Sequence, residues 1–221
     1  MKFINQAAIF LILAICWLSI AHANVDGHEL GPQEAVEQAA NQVIAVLEKE
    51  GDEIRGNSDK IYSLVNDHIL PHFDFDKMSY FVLGNAWKSA SEQQQHDFQD
   101  QFKHLLIRTY TTALSEYTTD GEILYKKVVI SPKNENIAIV QTEVRQKGQG
   151  PVEVSYRMYH TLGVWRIYDV SIGGVSLVKN YRANFAGQVR SKGLDGLIST
   201  LSEHNQPQEN VVTVKPASQT Q

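Results

Sequence analysis

Residues 152–185 read VEVSYRMYHTLGVWRIYDVSIGGVSLVKNYRANF, and this stretch decides the architecture. Val152, Val154, Tyr156 and Met158 alternate with Glu153, Ser155 and Arg157, the period of a strand buried on one face. Leu162-Gly163 turns the chain back. Strict alternation then puts Trp165, Ile167 and Asp169 on one face of the next strand, with Arg166, Tyr168, Val170 and Ile172 on the other. Gly173-Gly174 breaks that strand, and a helix near Leu177–Ser191 follows.

Working upstream, strands are expected at about Glu122–Ile130 and Ile137–Gln146. The linkers Ser131-Pro132-Lys133-Asn134 and Lys147-Gly148-Gln149-Gly150 are short enough for antiparallel hairpins. Before Asp120-Gly121 the period is helical. Pro32 begins a helix that Gly51 should stop, Asn57 or Ser58 caps a second, and Pro71 ends it. Asp74 caps a short third helix terminated by Gly84. Ser91 and Gln94 form a capping box ahead of the longest helix, whose stripe includes Phe98, Phe102, Leu106, Tyr110, Leu114 and Tyr117. Downstream, Leu194, Leu197, Ile198 and Leu201 mark a last helix. Helices, an antiparallel meander and more helices make an α+β domain, one sheet face covered by helices.

The ends carry no fold. Lys2 precedes an apolar run from Ala7 to Ile20, and Ala21-His22-Ala23 is a small-residue cleavage site. Residues 1–23 therefore read as a cleavable export signal, its apolar run of 14 residues too short to span a bilayer, which takes roughly 20 apolar residues. The single cysteine, Cys16, lies inside it. The exported domain, residues 24–204, must rely on an ordinary core rather than disulfides. Residues 205–221 are rich in Gln, Pro, Ser and Thr and read as a disordered tail.

Charge removes one class of function. The formal net charge is −5 and lysine and arginine do not cluster, so nucleic acid is not an expected partner. Catalytic motifs are missing as well. There is no G-x-S-x-G elbow, P-loop or Rossmann fingerprint. His68, His72, Asp74 and Asp76 lie close together, but Pro71 interrupts the histidine spacing; they read as a polar interhelical loop, and no metal is expected. Asp169 reads first as a structural hydrogen-bond acceptor. An enzyme reading would pair it with Tyr156 or Tyr168 for proton transfer in an apolar pocket. A third reading is a ligand-free protein-binding module with a filled core. Apolar periodicity alone does not distinguish a filled core from a lined cavity.

A resemblance bears on that choice. The run WRIYDV (165–170), followed by GVSLV (174–178) and NYR (180–182), resembles the toluene-tolerance family. So do ILPHF (69–73), VLG (82–84), WKSAS (87–91) and KGLDGLI (192–198). The likeness spans about residues 33–201. It implies a curved antiparallel sheet of about four strands, cupped by N-terminal and C-terminal helices around an apolar cavity. It further implies a periplasmic phospholipid carrier, with lipid as cargo and no cofactor. The implied partners are an outer-membrane lipoprotein–porin complex and an inner-membrane ABC transporter with its substrate-binding ring, and the implied role is maintenance of outer-membrane lipid asymmetry. On this reading the acyl chains are lined by Leu106, Tyr110 and Leu114 on the long helix. The sheet adds Val140, Val144, Val154, Tyr156 and Met158, and further candidates are Trp165, Tyr168, Val170 and Val175. Tyrosines with one dry and one wet end suit a cavity mouth, and a flexible methionine suits variable cargo.

Overall fold

The computed structural model of the chain describes residues 29–54, 57–115, 121–148 and 150–206. The expected export signal, Tyr117, and nearly all of the expected tail lie outside the described residues. Among the described residues, no helix is long and apolar enough to cross a membrane.

Five helices come first: α1 (Pro32–Ile54), α2 (Ser58–His68), α3 (Phe75–Leu83), α4 (Asn85–Ser89) and α5 (Glu92–Ser115). A 3-10 turn, Leu70–His72, joins α2 to α3. Six strands follow: β1 (Glu122–Tyr125), β2 (Val129–Ser131), β3 (Asn134–Arg145), β4 (Val152–Thr161), β5 (Val164–Ile172) and β6 (Val175–Ser176). Helix α6 (Leu177–Asn205) ends the described fold. The sheet is antiparallel in the order β1-β3-β4-β5-β6, with β2 also pairing β3.

The caps follow from the residues. Asn57 accepts the N–H of Lys60 at 3.1 Å and opens α2; Asp74 accepts that of Lys77 at 2.7 Å and opens α3. Ser91 and Gln94 close a reciprocal capping box at 3.2 and 3.0 Å. Helix α1 runs past Gly51 to Ile54, since an interior glycine costs only about 1 kcal/mol and packing overrides it. The two expected C-terminal helices are joined in α6, which kinks at Gly193, where φ is +72°. The strand expected over Glu122–Ile130 divides into β1 and β2. The Lys126 N–H still donates to Gln141 between them, but pairing with β3 is otherwise interrupted.

The facing of β5 differs from strict alternation. Tyr156 pairs with Val170, Arg157 with Asp169, and Met158 with Ile167, leaving Tyr168 as an extra residue. This β-bulge resets the phase: Ile167 and Val170 share the inner face with Tyr156 and Met158, while Asp169 lies opposite Arg157 on the other face. Asp169 there anchors α6. It accepts the Ser176 hydroxyl at 2.6 Å and the Val178 N–H at 3.1 Å, and Ser176 in turn caps the Lys179 N–H.

One half of the interior is filled. Phe98 and Phe102 of α5 are fully buried and stack 5.5 Å apart, with Tyr181 and Phe185 of α6 edge-on to Phe102. Met78, Val140, Met158 and Leu197 complete a dense core with almost no exposed surface. The other half is built differently.

Candidate functional site

Between the inner sheet face and helices α2 and α5 lies an apolar chamber of about 380 Å³. Its helical wall is Val65 and Ile69 at the end of α2, Leu70 in the 3-10 turn, and Leu106, Ile107 and Tyr110 on α5. Its sheet wall is Val154, Tyr156, Val170 and Ile172, brought to one face by the β5 bulge. Phe73, Phe75 and Leu177 close it. The wall is held open by a specific fastening. Phe73 bridges to Ile167 beside β5, and the Asp74 N–H donates to the Ile167 carbonyl at 2.9 Å, so the α2–α3 corner is pinned to the sheet edge.

A second chamber of about 250 Å³ lies between α1 and the sheet. Helix α1 lines it with Val36, Ala39, Ala40, Val43, Ile44 and Leu47; the sheet lines it with Ile123, Val144, Tyr156 and Ile167. The space exists because Ala39 and Ala40 stop short at the centre of the α1 stripe. Ile69 and Tyr156 border both chambers.

Among the described residues, no lining residue of either chamber carries a charge. The polar side chains are two phenols. Burial pushes the Tyr110 hydroxyl above its ordinary pKa, with Tyr181 adding to the effect. Burial does the same to Tyr156, partly opposed by a hydrogen bond with Thr142. Both stay neutral at physiological pH. Such an interior has no general base near neutrality and no nucleophile of the common kinds. What it offers is apolar surface. Left empty, the chamber keeps that apolar surface exposed to water, which costs roughly 25 cal/mol per Å². Water gains little there, because it needs two to four polar partners. The chamber suits an apolar occupant.

Beyond the wall of Leu70, Phe73 and Phe75 lies a polar cleft of about 550 Å³. Its charged groups are engaged by the fold itself. Asp74 caps α3 and accepts the Tyr159 hydroxyl, Asp76 accepts from Gln99, Asp100 pairs with Lys103, and Arg166 donates to the Pro71 carbonyl.

Of the side chains expected to line a cavity, Leu106, Tyr110, Val154, Tyr156 and Val170 border the larger chamber. Val144 borders the smaller one. Val140 and Met158 share the inner face but are sealed in the filled core, 0% and 1% exposed. Trp165 packs against His160, and Tyr168 against Phe81 and Tyr159; neither borders a chamber. Val175 is 57% exposed on β6. The Leu114 side chain lies outside the described residues. Asp169 is 4% exposed and lies on the sheet face opposite Tyr156, so it does not pair with Tyr156. Sequence reasoning missed the whole contribution of α1 and the α2–α3 corner. The available signal was Ala39-Ala40 in the centre of an otherwise bulky stripe.

Comparison with known proteins agrees with this geometry. The sequence model of the family described as MlaC protein matches residues 37–203. The intermembrane phospholipid transport system binding protein MlaC of Haemophilus influenzae is 24% identical over 177 residues, covering 79% of this chain and 82% of its own. The toluene tolerance protein ttg2D of Pseudomonas putida is 22% identical over 189 residues, covering 81% and 85%. A phospholipid-binding protein from Ralstonia solanacearum, solved in complex with a phospholipid, superposes with a TM-score of 0.74 at 32% identity. That match covers 80% of this chain and 97% of that one.

Proposed function

The chain belongs to the MlaC protein family, and on that premise we propose that it is a phospholipid carrier that buries acyl chains in its two apolar chambers. The observation that carries this reading is a pair of chambers whose described lining residues are all uncharged, left unpacked beside a dense core. Many of those side chains, including Ile69, Leu106, Tyr110, Val154 and Ile172, remain only half-buried, so apolar surface is held ready inside the fold.

The energetics fit a carrier. Each CH₂ moved from lipid to water costs about 0.8 kcal/mol, so a sixteen-carbon chain stranded in water costs on the order of 12 kcal/mol. Lining on several sides is needed to offset most of that, and a shallow groove would not suffice. An all-apolar wall without charged anchors also lets the chain leave again. In this reading the carrier works in the periplasm, moves lipid between an outer-membrane lipoprotein–porin complex and an inner-membrane ABC transporter, and so maintains outer-membrane asymmetry. Its chemistry is binding alone. Thin-layer or mass analysis of lipid extracted from protein purified without detergent tests this. Near-unit phospholipid supports it, and protein that neither carries nor accepts lipid from vesicles overturns it.

A further inference from the structure

The two chambers touch at two side chains, and these come from opposite walls. Ile69 is the C-cap of α2, its N–H bonded to Val65 at 2.9 Å and its carbonyl to the His72 N–H at 3.1 Å. Tyr156 stands in the middle of the sheet, between Val140 of β3 and Val170 of β5. We propose that Ile69 and Tyr156 form a partition, so that a two-tailed lipid straddles it with one acyl chain in each chamber. This inference rests on the carrier reading and adds which residues set the arrangement of its cargo.

Both partition members are fixed in place. The backbone of Ile69 sits at a hydrogen-bonded corner that Pro71 stiffens immediately downstream. The ring of Tyr156 rises from a strand paired on both sides. A leucine or methionine at position 156 would swing with the cargo; a tyrosine ring on a doubly paired strand holds its line. Among the described residues, the chambers share no other lining, one being closed by α1 and the other by α2 and α5. The chains therefore run along different helices, and the smaller site is sized by Ala39 and Ala40.

The test uses a phosphatidylcholine carrying a pyrene at the end of each acyl chain, loaded from vesicles onto delipidated protein. Pyrenes emit as an excimer only when two rings touch. Wild-type protein is expected to take the lipid and shift its emission from excimer to monomer. Per bound lipid, Tyr156→Ala should raise excimer emission at least threefold over wild type, while Tyr156→Phe, which keeps the ring, should stay with the wild type. Excimer emission from lipid bound to the wild type would overturn the partition while leaving the carrier reading intact. Absence of any transfer, of this lipid or of unlabelled phosphatidylcholine, would overturn the carrier reading and the partition with it. A variant outside the partition gives an independent check, read by native mass spectrometry with palmitoyl lysophosphatidylcholine. Two single-chain lipids should bind the wild type and one should bind Ala40→Trp. Equal counts for the two proteins would contradict separate sites.

Discussion

Asp169 accepts two buried hydrogen bonds at the foot of α6, and that is sufficient to explain its presence. Replacing it with alanine leaves the Val178 N–H and Ser176 hydroxyl unsatisfied and should cost about 2–4 kcal/mol in denaturant unfolding. Lipid loading, measured well below the unfolding transition, should survive; a folded variant that no longer loads would contradict a purely structural role. Tyr159 supplies a pH-dependent prediction. Burial and its hydrogen bond to Asp74 push its phenol up to about 12 from an ordinary value near 10. Between those values the unfolded chain has released the proton and the native protein has kept it. The contribution of Tyr159 is thus complete below pH 10 and lost as pH rises toward 12. Thermal scans of wild type and Tyr159→Phe should converge across that window; a constant difference from pH 8 to 12 would rule the account out. Legibility at this scale was uneven. Asn57, Asp74, Ser91 and Gln94 announced their caps, because capping needs a short polar side chain at a fixed offset. Tyr168 gave no warning of the bulge, since an added residue leaves no mark on a period-two pattern until the register of its neighbour is known.

At the scale of elements, the β4–β5 hairpin shows how local chemistry and function can diverge. Its two-residue turn holds Leu162 at φ +50° and Gly163 at φ +79°, as a type I′ turn requires. Glycine meets that demand without strain. Leu162 does not, and it is 98% exposed, so nothing within the described fold repays it. Leu162→Asn should stabilise the domain by about 1 kcal/mol, a rise of about 2–4 °C in calorimetry; a lower transition temperature would mean the leucine has partners in the native state. Strands β4 and β5 were legible to the residue because glycines and a clean alternation bracket them. Helix α1 was legible as a helix but not as a wall. Apart from the short Ala39 and Ala40, its stripe reads the same whether it packs against side chains or faces a space, and the space depends also on how far α1 stands from β3.

For the whole molecule, the division between a filled half and an open half is the organising fact. The aromatic cluster of α5 and α6, with Met78, Val140 and Met158, supplies stability; the chambers supply capacity and leave apolar surface uncompensated. Cargo is therefore expected to act as part of the core. Lipid at a hundredfold excess over its Kd adds about 2.7 kcal/mol, which for a domain of this size raises the unfolding temperature by about 5–10 °C. Delipidated and loaded protein that melt together would contradict that coupling. The most direct measurement is native mass spectrometry of the protein purified without detergent. A bound mass matching one phospholipid, released by organic solvent, is the predicted result. An unliganded mass that stays unchanged after incubation with phospholipid vesicles would contradict the account.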